Sequence, residues 1–301
     1  DFQGRVLCSS SISLSKKIDV EIAHRMIVET VNSLCSKSKI SVNDIGGIGL
    51  ADPGFVDIKR GISLNASNID GWINLQTKKW LAKEFGCKYN TVYPGAMTMA
   101  FYEYSKLCNQ NKKSLFLLEF GVGIGGAFMK GGEIFKGDQN TGMEIGHIVI
   151  DPNGPICNCG NRGCLEAIAG STGVRRRVNE LLKSGVFIPI KSDETLISDF
   201  VKSVANGNKA ASTLAYEISE KIGDSLASVV AILNPSTIIM SGELAGMGDI
   251  LLSTVKKCIA LKCFPAAVEK LDVRIAPEEE YSGSKGVVNI LRNKILRDIF
   301  V

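Results

Sequence analysis

The sequence has no apolar run long enough to cross a bilayer, so no transmembrane helix is expected. Its opening residues, from Asp1 to Leu7, lack the basic end and apolar middle of a secretory signal, which fits a cytoplasmic chain. There is no dense block of lysine and arginine. A formal net charge of +4 is spread over 301 residues, too thin for these residues to hold nucleic acid by charge. The one basic cluster, Arg175 to Arg177, reads as a solvated helix face. Disordered and fibrous classes are excluded as well, because 45% hydrophobic residues over this length suffice for two compact lobes.

What is present is an uneven use of nine cysteines. Cys8, Cys35, Cys87, Cys108, Cys258 and Cys263 are scattered through structural-looking segments and read as small buried hydrophobes of a reduced compartment. The other three, Cys157, Cys159 and Cys164, follow His147 within residues 144–166, a stretch bounded by Glu144 and Glu166. Three thiolates and an imidazole in so short a span suit a closed tetrahedral Zn²⁺ site, with Gly160 and Gly163 letting the backbone fold around the ion. Free thiols or a Cys157–Cys164 disulfide are the alternatives. The Cys-x-Cys-Gly-x-x-Gly-Cys spacing argues against both, since it gathers all three sulfurs in one turn and leaves one unpaired in any disulfide scheme. Four protein ligands leave no open position for an activated water, so the metal is expected to order the loop rather than perform chemistry.

Along the chain, residues 1–7 look like the far arm of a hairpin. A helix is predicted from Asp19, a good N-cap, with Ile22, Met26, Ile27 and Leu34 on one stripe. Residues 45–50 form a short Gly-rich strand closed by Pro53-Gly54, a common place for backbone to approach a ligand. Residues 61–72 read as a polar loop in which Asn65 and Asn68 make turns or bind hydroxyls, and a helix follows near 75–85. Residues 96–107 are helical, and 115–120 is an apolar strand running into the glycines of 121–126. Such a turn can offer N–H groups to phosphate, though tight hairpins use the same glycines. Residues 171–232 are mostly helical, Leu233-Asn234-Pro235 stops the helix, and 237–240 is a buried strand running into Ser241-Gly242. Strand, turn and helix in repetition give α/β organisation. The last helix, 285–299, carries Val288, Leu291, Ile295 and Ile299, and the lobe boundary is placed near 109–113.

The pattern Glu144-x-Gly146-His147, nine residues, then Cys157-x-Cys159-Gly-x-x-Gly-Cys164-Leu-Glu166 resembles the signature of the ROK family, named for repressors, open reading frames and kinases. Pro53-Gly54, the loop from Asn68 to Trp72, the strand and glycines of 115–126 and the run from Leu233 to Gly242 fall in the family's order, so the resemblance spans essentially the whole chain. It implies an actin-like, hexokinase and ribonuclease H-like fold: two α/β lobes around a sugar cleft, usually in homodimers or tetramers. Residues 1–112 would form the first lobe, with the helix of 285–301 packed on it, and 113–284 the second, with the zinc loop and an oligomer interface. By this resemblance Glu144, His147 and Glu166 face sugar hydroxyls with help from Asn68, and Gly121, Gly123 and Gly125 are what remains of a phosphate loop. His147 would serve zinc through one ring nitrogen and sugar through the other.

Three departures from the family's kinases shape the expected function. Kinases carry Asn-Asp at the start of the helix before the strand at 115, and the Asp takes the proton of the attacking hydroxyl. Alignment on Glu103 places Pro94-Gly95 there, with no carboxylate between Phe85 and Glu103 to substitute. The Gly-Thr-Gly turn reads Gly121-Val122-Gly123, and the first phosphate loop, Asp-x-Gly-Gly-Thr, is not in this sequence. Ser241-Gly242-Glu243 also resembles the repressor branch. Loss of a general base costs about 10²- to 10⁴-fold in rate. The expectation is therefore the effector-binding body of a ROK-type regulator, which uses neither ATP nor Mg²⁺ and reads DNA through an N-terminal module outside these residues. The rival is an ATP-dependent sugar kinase represented by a truncated chain.

Overall fold

The computed structural model describes residues 1–12, 18–66, 69–107, 113–277, 279 and 281–300. The chain divides into two units, one of Asp1–Lys106, Lys136–Gly142 and Glu280–Val301, the other of Leu107–Phe135 and Met143–Glu279. Of the boundary placed at 109–113, residues 109–112 lie outside the described residues, and the division falls between Lys106 and Leu107.

Residues 1–12 hold no strand, which corrects the expected hairpin arm. The Asp1 carboxylate accepts the N–H groups of Gln3 at 2.9 Å and Arg5 at 3.0 Å and the Arg5 guanidinium at 2.8 Å, closing a turn. Val6 and Leu7 stay mostly exposed, so burial does not favour an extended arm. The first strand, β1 (Ile18–Asp19), leads into α1 (Val20–Ser38), where the Asp19 side chain accepts from Ile22 N at 2.8 Å as an N-cap should. Then come β2 (Gly47–Asp52), β3 (Phe55–Asp57), β4 (Ile62–Asn65), β5 (Ile69–Asp70), β6 (Ile73–Leu75), α2 (Thr77–Phe85), β7 (Tyr89–Pro94) and α3 (Gly95–Ser105). β2 and β7 run parallel, with Asp52 opposite Pro94; β3, β4 and β6 form an antiparallel sheet, and β1 pairs with β5.

Residues 61–72 thus contain strands rather than a loop, and the reason is a buried polar cluster. Asp52, with no exposed surface, accepts from Ser63 Oγ (2.5 Å), Trp72 Nε1 (3.0 Å) and Gly54 N (2.9 Å), while Ser63 and Thr77 hydroxyls meet at 2.6 Å. The alternation of β4, Ile62-Ser63-Leu64-Asn65, runs over only four residues, and its inward Ser63 is satisfied by partners on other elements that a local reading does not see. Burial pushes the Asp52 carboxyl above its ordinary value, against the opposing pull of its hydrogen-bond donors.

The second unit is built on β8 (Ser114–Phe120), β9 (Ile124–Lys130) and β10 (Glu133–Phe135), followed by α4 (Leu165–Ala169), α5 (Ser171–Lys183), α6 (Leu196–Ala205), α7 (Lys209–Leu233), β11 (Thr237–Gly242), α8 (Asp249–Lys262), α9 (Pro265–Val268) and β12 (Asp272–Ile275). Its sheet has the order β10-β9-β8-β11-β12, antiparallel through β8 and parallel from β8 to β12. Phe116, Leu118, Ile238 and Met240 lie in one core with Leu165, Val174, Phe200, Leu226 and Val255 from the helices. Asn234 ends α7 in a left-handed conformation, φ 42°, with its N–H on Val230 O, and Pro235 then bars continuation.

The chain ends in α10 (Ser282–Phe300), which belongs to the first unit. Val287 and Leu291 press on β2 where Gly49 and Gly47 have no side chains; an added Cβ would stand 2.8 and 2.9 Å from them. The expected stripe needs correction: Leu291 and Ile295 are buried, but Val288 and Ile299 are exposed, and Val287 and Ile290 take the inner face instead.

Candidate metal centre and ligand-facing residues

The metal loop is folded by its own backbone. Cys157 N donates to Asn161 O at 2.7 Å, Gly163 N to Pro155 O at 2.7 Å, and Ile150 N to Gly163 O at 2.8 Å. Gly163 is left-handed, φ 73°, and a Cβ there would run into the Asp151 carbonyl, so the close approach admits glycine alone. This folding brings together His147, Cys157, Cys159 and Cys164, whose ligand atoms all lie within 4.8 Å of one another, a possible metal-binding cluster.

The cluster's dimensions fit an ion better than a disulfide. Cys159 and Cys164 sulfurs are 3.7 Å apart and Cys157 Sγ lies 3.7 Å from His147 Nδ1. A bonded S–S pair would need about 2.05 Å, whereas a tetrahedral centre with metal–sulfur bonds of about 2.3 Å sets its sulfurs about 3.8 Å apart. Cys157 and Cys164 are buried and Cys159 is exposed. Burial pushes the Cys164 thiol up to about 12 and raises Cys157 too, so these two would give up their protons only against a cation, while the Asn161 N–H beside Cys159 lowers that thiol.

Glu166 ties this loop to the glycine turn. It stands in the first turn of α4, two residues after Cys164; its Oε2 accepts Ile124 N at 3.0 Å and its Oε1 accepts from Cys157 Sγ at 3.9 Å. The Glu166 carboxylate occupies the space a Cβ on Gly123 would need. Gly121 N donates to Gly123 O at 3.0 Å, and Ser171 Oγ to Gly121 O at 2.8 Å. Two N–H groups of the turn are thus committed within the protein, and Val122 projects 62% exposed where a hydroxyl would be needed to meet phosphate. Gly125 lies on β9 opposite Glu119.

Glu144, just ahead of a short 3₁₀ turn at Ile145–His147, presents surface to solvent, yet the surrounding chain strips enough of its hydration to raise its carboxyl to about 7, with the Glu166 charge adding to the rise. Glu119 was missed from sequence: burial raises its carboxyl, and it sits at the end of β8 beside the turn. A lone carboxylate inside the apolar run of 115–120 was the available signal. In the first unit Gly95 is the first residue of α3, whose opening turn carries no acid, and Asn68 lies outside the described residues. The arginine cluster is a paired, partly exposed face: Arg175 with Asp193, Arg176 with Glu180 and Arg177 with Glu217. Among the described residues no helix is long and apolar enough to cross a membrane.

With the loop, the carboxylates and the two α/β units described, family comparison places the chain. Residues 8–294 match the ROK family, and the chain belongs to it. Among its relatives is a glucokinase of Thermotoga maritima, 30% identical over 258 residues, covering 82% of this chain and 80% of that protein. Another is the DNA-binding transcriptional dual regulator NagC of Escherichia coli, 25% identical over 305 residues, covering all of this chain and 73% of the regulator. Among solved structures, a ROK family transcriptional regulator homologous to the E. coli MLC protein superposes with a TM-score of 0.83 at 22% identity, over 99% of this chain and 75% of that one. The fold is accordingly the actin-like one of ROK hexokinases and regulators. Kinases and repressors both stand among the relatives.

Proposed function

We propose that this chain is the effector-binding body of a ROK-type transcriptional regulator and does not phosphorylate its sugar. The observation that carries the reading is at Gly95: α3 opens on Pro94 and Gly95 with no carboxylate in its first turn, and the resemblance assigns the kinases' general base to that position. Phosphoryl transfer depends on positioning and charge stabilisation around metal-bound ATP. A turn whose N–H groups serve Glu166 and Gly123, with Val122 at its tip, supports the same reading.

In this proposal zinc occupies the Cys₃His cluster and holds the rotamer and tautomer of His147. Glu144, His147 and Glu166 accept and donate hydrogen bonds to sugar hydroxyls, joined by Asn68, and the assembly is a cytoplasmic homodimer or tetramer. Carboxylates suit vicinal hydroxyls, and polar groups left unpaired by the wrong ligand give strong discrimination. DNA binding would reside outside these residues, as the relative named a DNA-binding regulator, of which this chain spans 73%, suggests.

The kinase alternative draws on the glucokinase relative at 30% identity. One pair of measurements separates the readings: operator binding by protein from the complete reading frame, with and without sugars, and a coupled ATP, Mg²⁺ and hexose assay. Sugar-dependent DNA affinity with no turnover is expected. Turnover in the range of about 1–100 s⁻¹ common to kinases would overturn the regulator reading.

A further inference from the structure

We propose that His24 is a pH-sensitive latch: as a neutral imidazole it holds the first turns of α1 against Trp72 and Trp80, and as an imidazolium it lets them go. All three residues belong to the first unit. α1 packs on its neighbours through Ala23, Ile27, Val28 and Val31, a face of small and branched apolar side chains. His24 stands one turn before Val28 on that face. Its ring lies flat on Trp80, with centroids 3.9 Å and planes 11° apart, and meets Trp72 in a T-shaped contact at 5.5 Å and 65°. Trp72 is almost wholly buried, and Trp80 packs onward against Phe85 at 6.2 Å. One imidazole thus ties α1 both to α2 and to the short strands β5 and β6 on either side of Trp72.

Among the described residues the buried Nε2 of His24 has no hydrogen-bond partner. Unprotonated, that nitrogen leaves only a lone pair unanswered. Protonated, it would bring an N–H and part of a positive charge to the same place, and an unanswered charged donor is the costlier of the two. Trp80 returns part of that cost as cation–π attraction. Of the charged groups around the contact, Glu84, one turn past Trp80 on α2, pulls toward protonation. Lys79 and Lys83 of α2, Glu21 and Arg25 of α1 and Asp70 of β5 are exposed, while Asp52 lies beyond Trp72 and accepts its Nε1–H at 3.0 Å. Burial outweighs Glu84 and holds the imidazole below its ordinary value. The proton is therefore taken up more readily with the contact open. The stabilisation is full above 6.5, the ordinary imidazole value, and below it each pH unit favours the open form by about tenfold until the closed contact itself titrates.

Trp72 and Trp80 are the chain's two tryptophans, so its indole emission reads this contact. The test titrates the full chain from about pH 8 to about pH 5, across the histidine range, following tryptophan emission and hydrogen exchange of the α1 amides corrected for intrinsic pH dependence. It is repeated on His24→Phe, an aromatic ring that cannot titrate, and on His24→Gln, which serves should the first variant fail to fold. Emission is expected to change in one step with its midpoint below 6.5. Opening of α1 should rise about tenfold per pH unit below that value, without a matching rise at β8 in the second unit. Both responses are expected to vanish in the variants. Flat emission and exchange across the range would overturn the proposal. So would a midpoint above 6.5, since protonation would then tighten the contact, and so would responses that survive in the variants, which would assign the titration to another group such as Asp52.

Discussion

Replacing Gly163 by alanine is expected to break the metal loop, while the same change at Gly160 is expected to be mild. Both glycines are left-handed, with φ of 73° and 92°, so each alanine meets the roughly 1–2 kcal/mol that an L-residue loses there. Beyond that they differ. A Cβ on Gly160 meets no atom within 4 Å, whereas one on Gly163 drives into the Asp151 carbonyl. That carbonyl already accepts from Gly154 N at 2.8 Å, and the Gly163 carbonyl accepts from Ile150 N at 2.8 Å and Asp151 N at 3.2 Å. Shifting the Asp151 peptide loosens these three bonds at about 1 kcal/mol each, which puts Gly163→Ala near 4–5 kcal/mol against about 1–2 for Gly160→Ala. At about 2–4 °C per kcal/mol for a unit of this size, the unfolding temperature should fall by roughly 8–20 °C in the first variant and 2–8 °C in the second. Since the difference lies in ordering the loop, metal affinity should differ by about a hundredfold, measured by chelator competition and by metal per chain after gel filtration. Equal unfolding temperatures and equal metal affinity in the two variants would refute the reasoning.

Other outcomes follow from the same geometry. Purified protein should carry zinc on His147, Cys157, Cys159 and Cys164, and a chelator should destabilise it more readily as pH falls and thiolates protonate, read by metal analysis and thermal unfolding. The Glu144 carboxyl, raised from 4.5 to about 7 in the folded chain, binds a proton that the unfolded chain has already lost. Its stabilising contribution is therefore full below about pH 4.5 and fades as pH rises through about 7. Glu144→Gln should flatten the fall of unfolding temperature across that window, and an unchanged slope would show that another group titrates. Asp52→Ala strands Trp72 Nε1–H and Gly54 N–H and leaves the Ser63 hydroxyl with Thr77 alone, so a loss of about 2–4 kcal/mol is expected from denaturant unfolding, with altered Trp72 fluorescence.

Local chemistry made part of this molecule readable from residues alone. The Asp19 cap, the stop at Asn234-Pro235 and the cysteine spacing of 157–164 each act over a few residues, and each stands in the structure as its physics demands. The features that escaped depend on distant partners. β4 turns inward a serine, Ser63, that Asp52 and Thr77 satisfy from other elements. Glu166 takes its second role from Ile124, 42 residues away, and no pattern near either residue announces that bond. Residues 136–142 leave the middle of the second unit's sequence to join the first, and only the fold discloses that Lys136 stands beside Tyr93. In the α10 stripe Leu291 and Ile295 stand as predicted, while Val287 takes the inner place given to Val288 because it answers to Gly49 on β2, more than 230 residues earlier.

That last contact bears on how the protein is made. A ribosome delivers β2 and β7 long before it delivers α10, so for most of synthesis the first unit lacks the helix that fills Gly47 and Gly49. The second unit, by contrast, is almost contiguous in the chain and complete by residue 279. Within these residues, folding during translation would then run against the usual N-terminal-first order: the later-made unit closes first, while the earlier one waits, its sheet face open to chaperones and proteases, for α10. A chain arrested before Ser282 would hold a folded second unit and an unsealed first one, making α10 the element that completes the first unit.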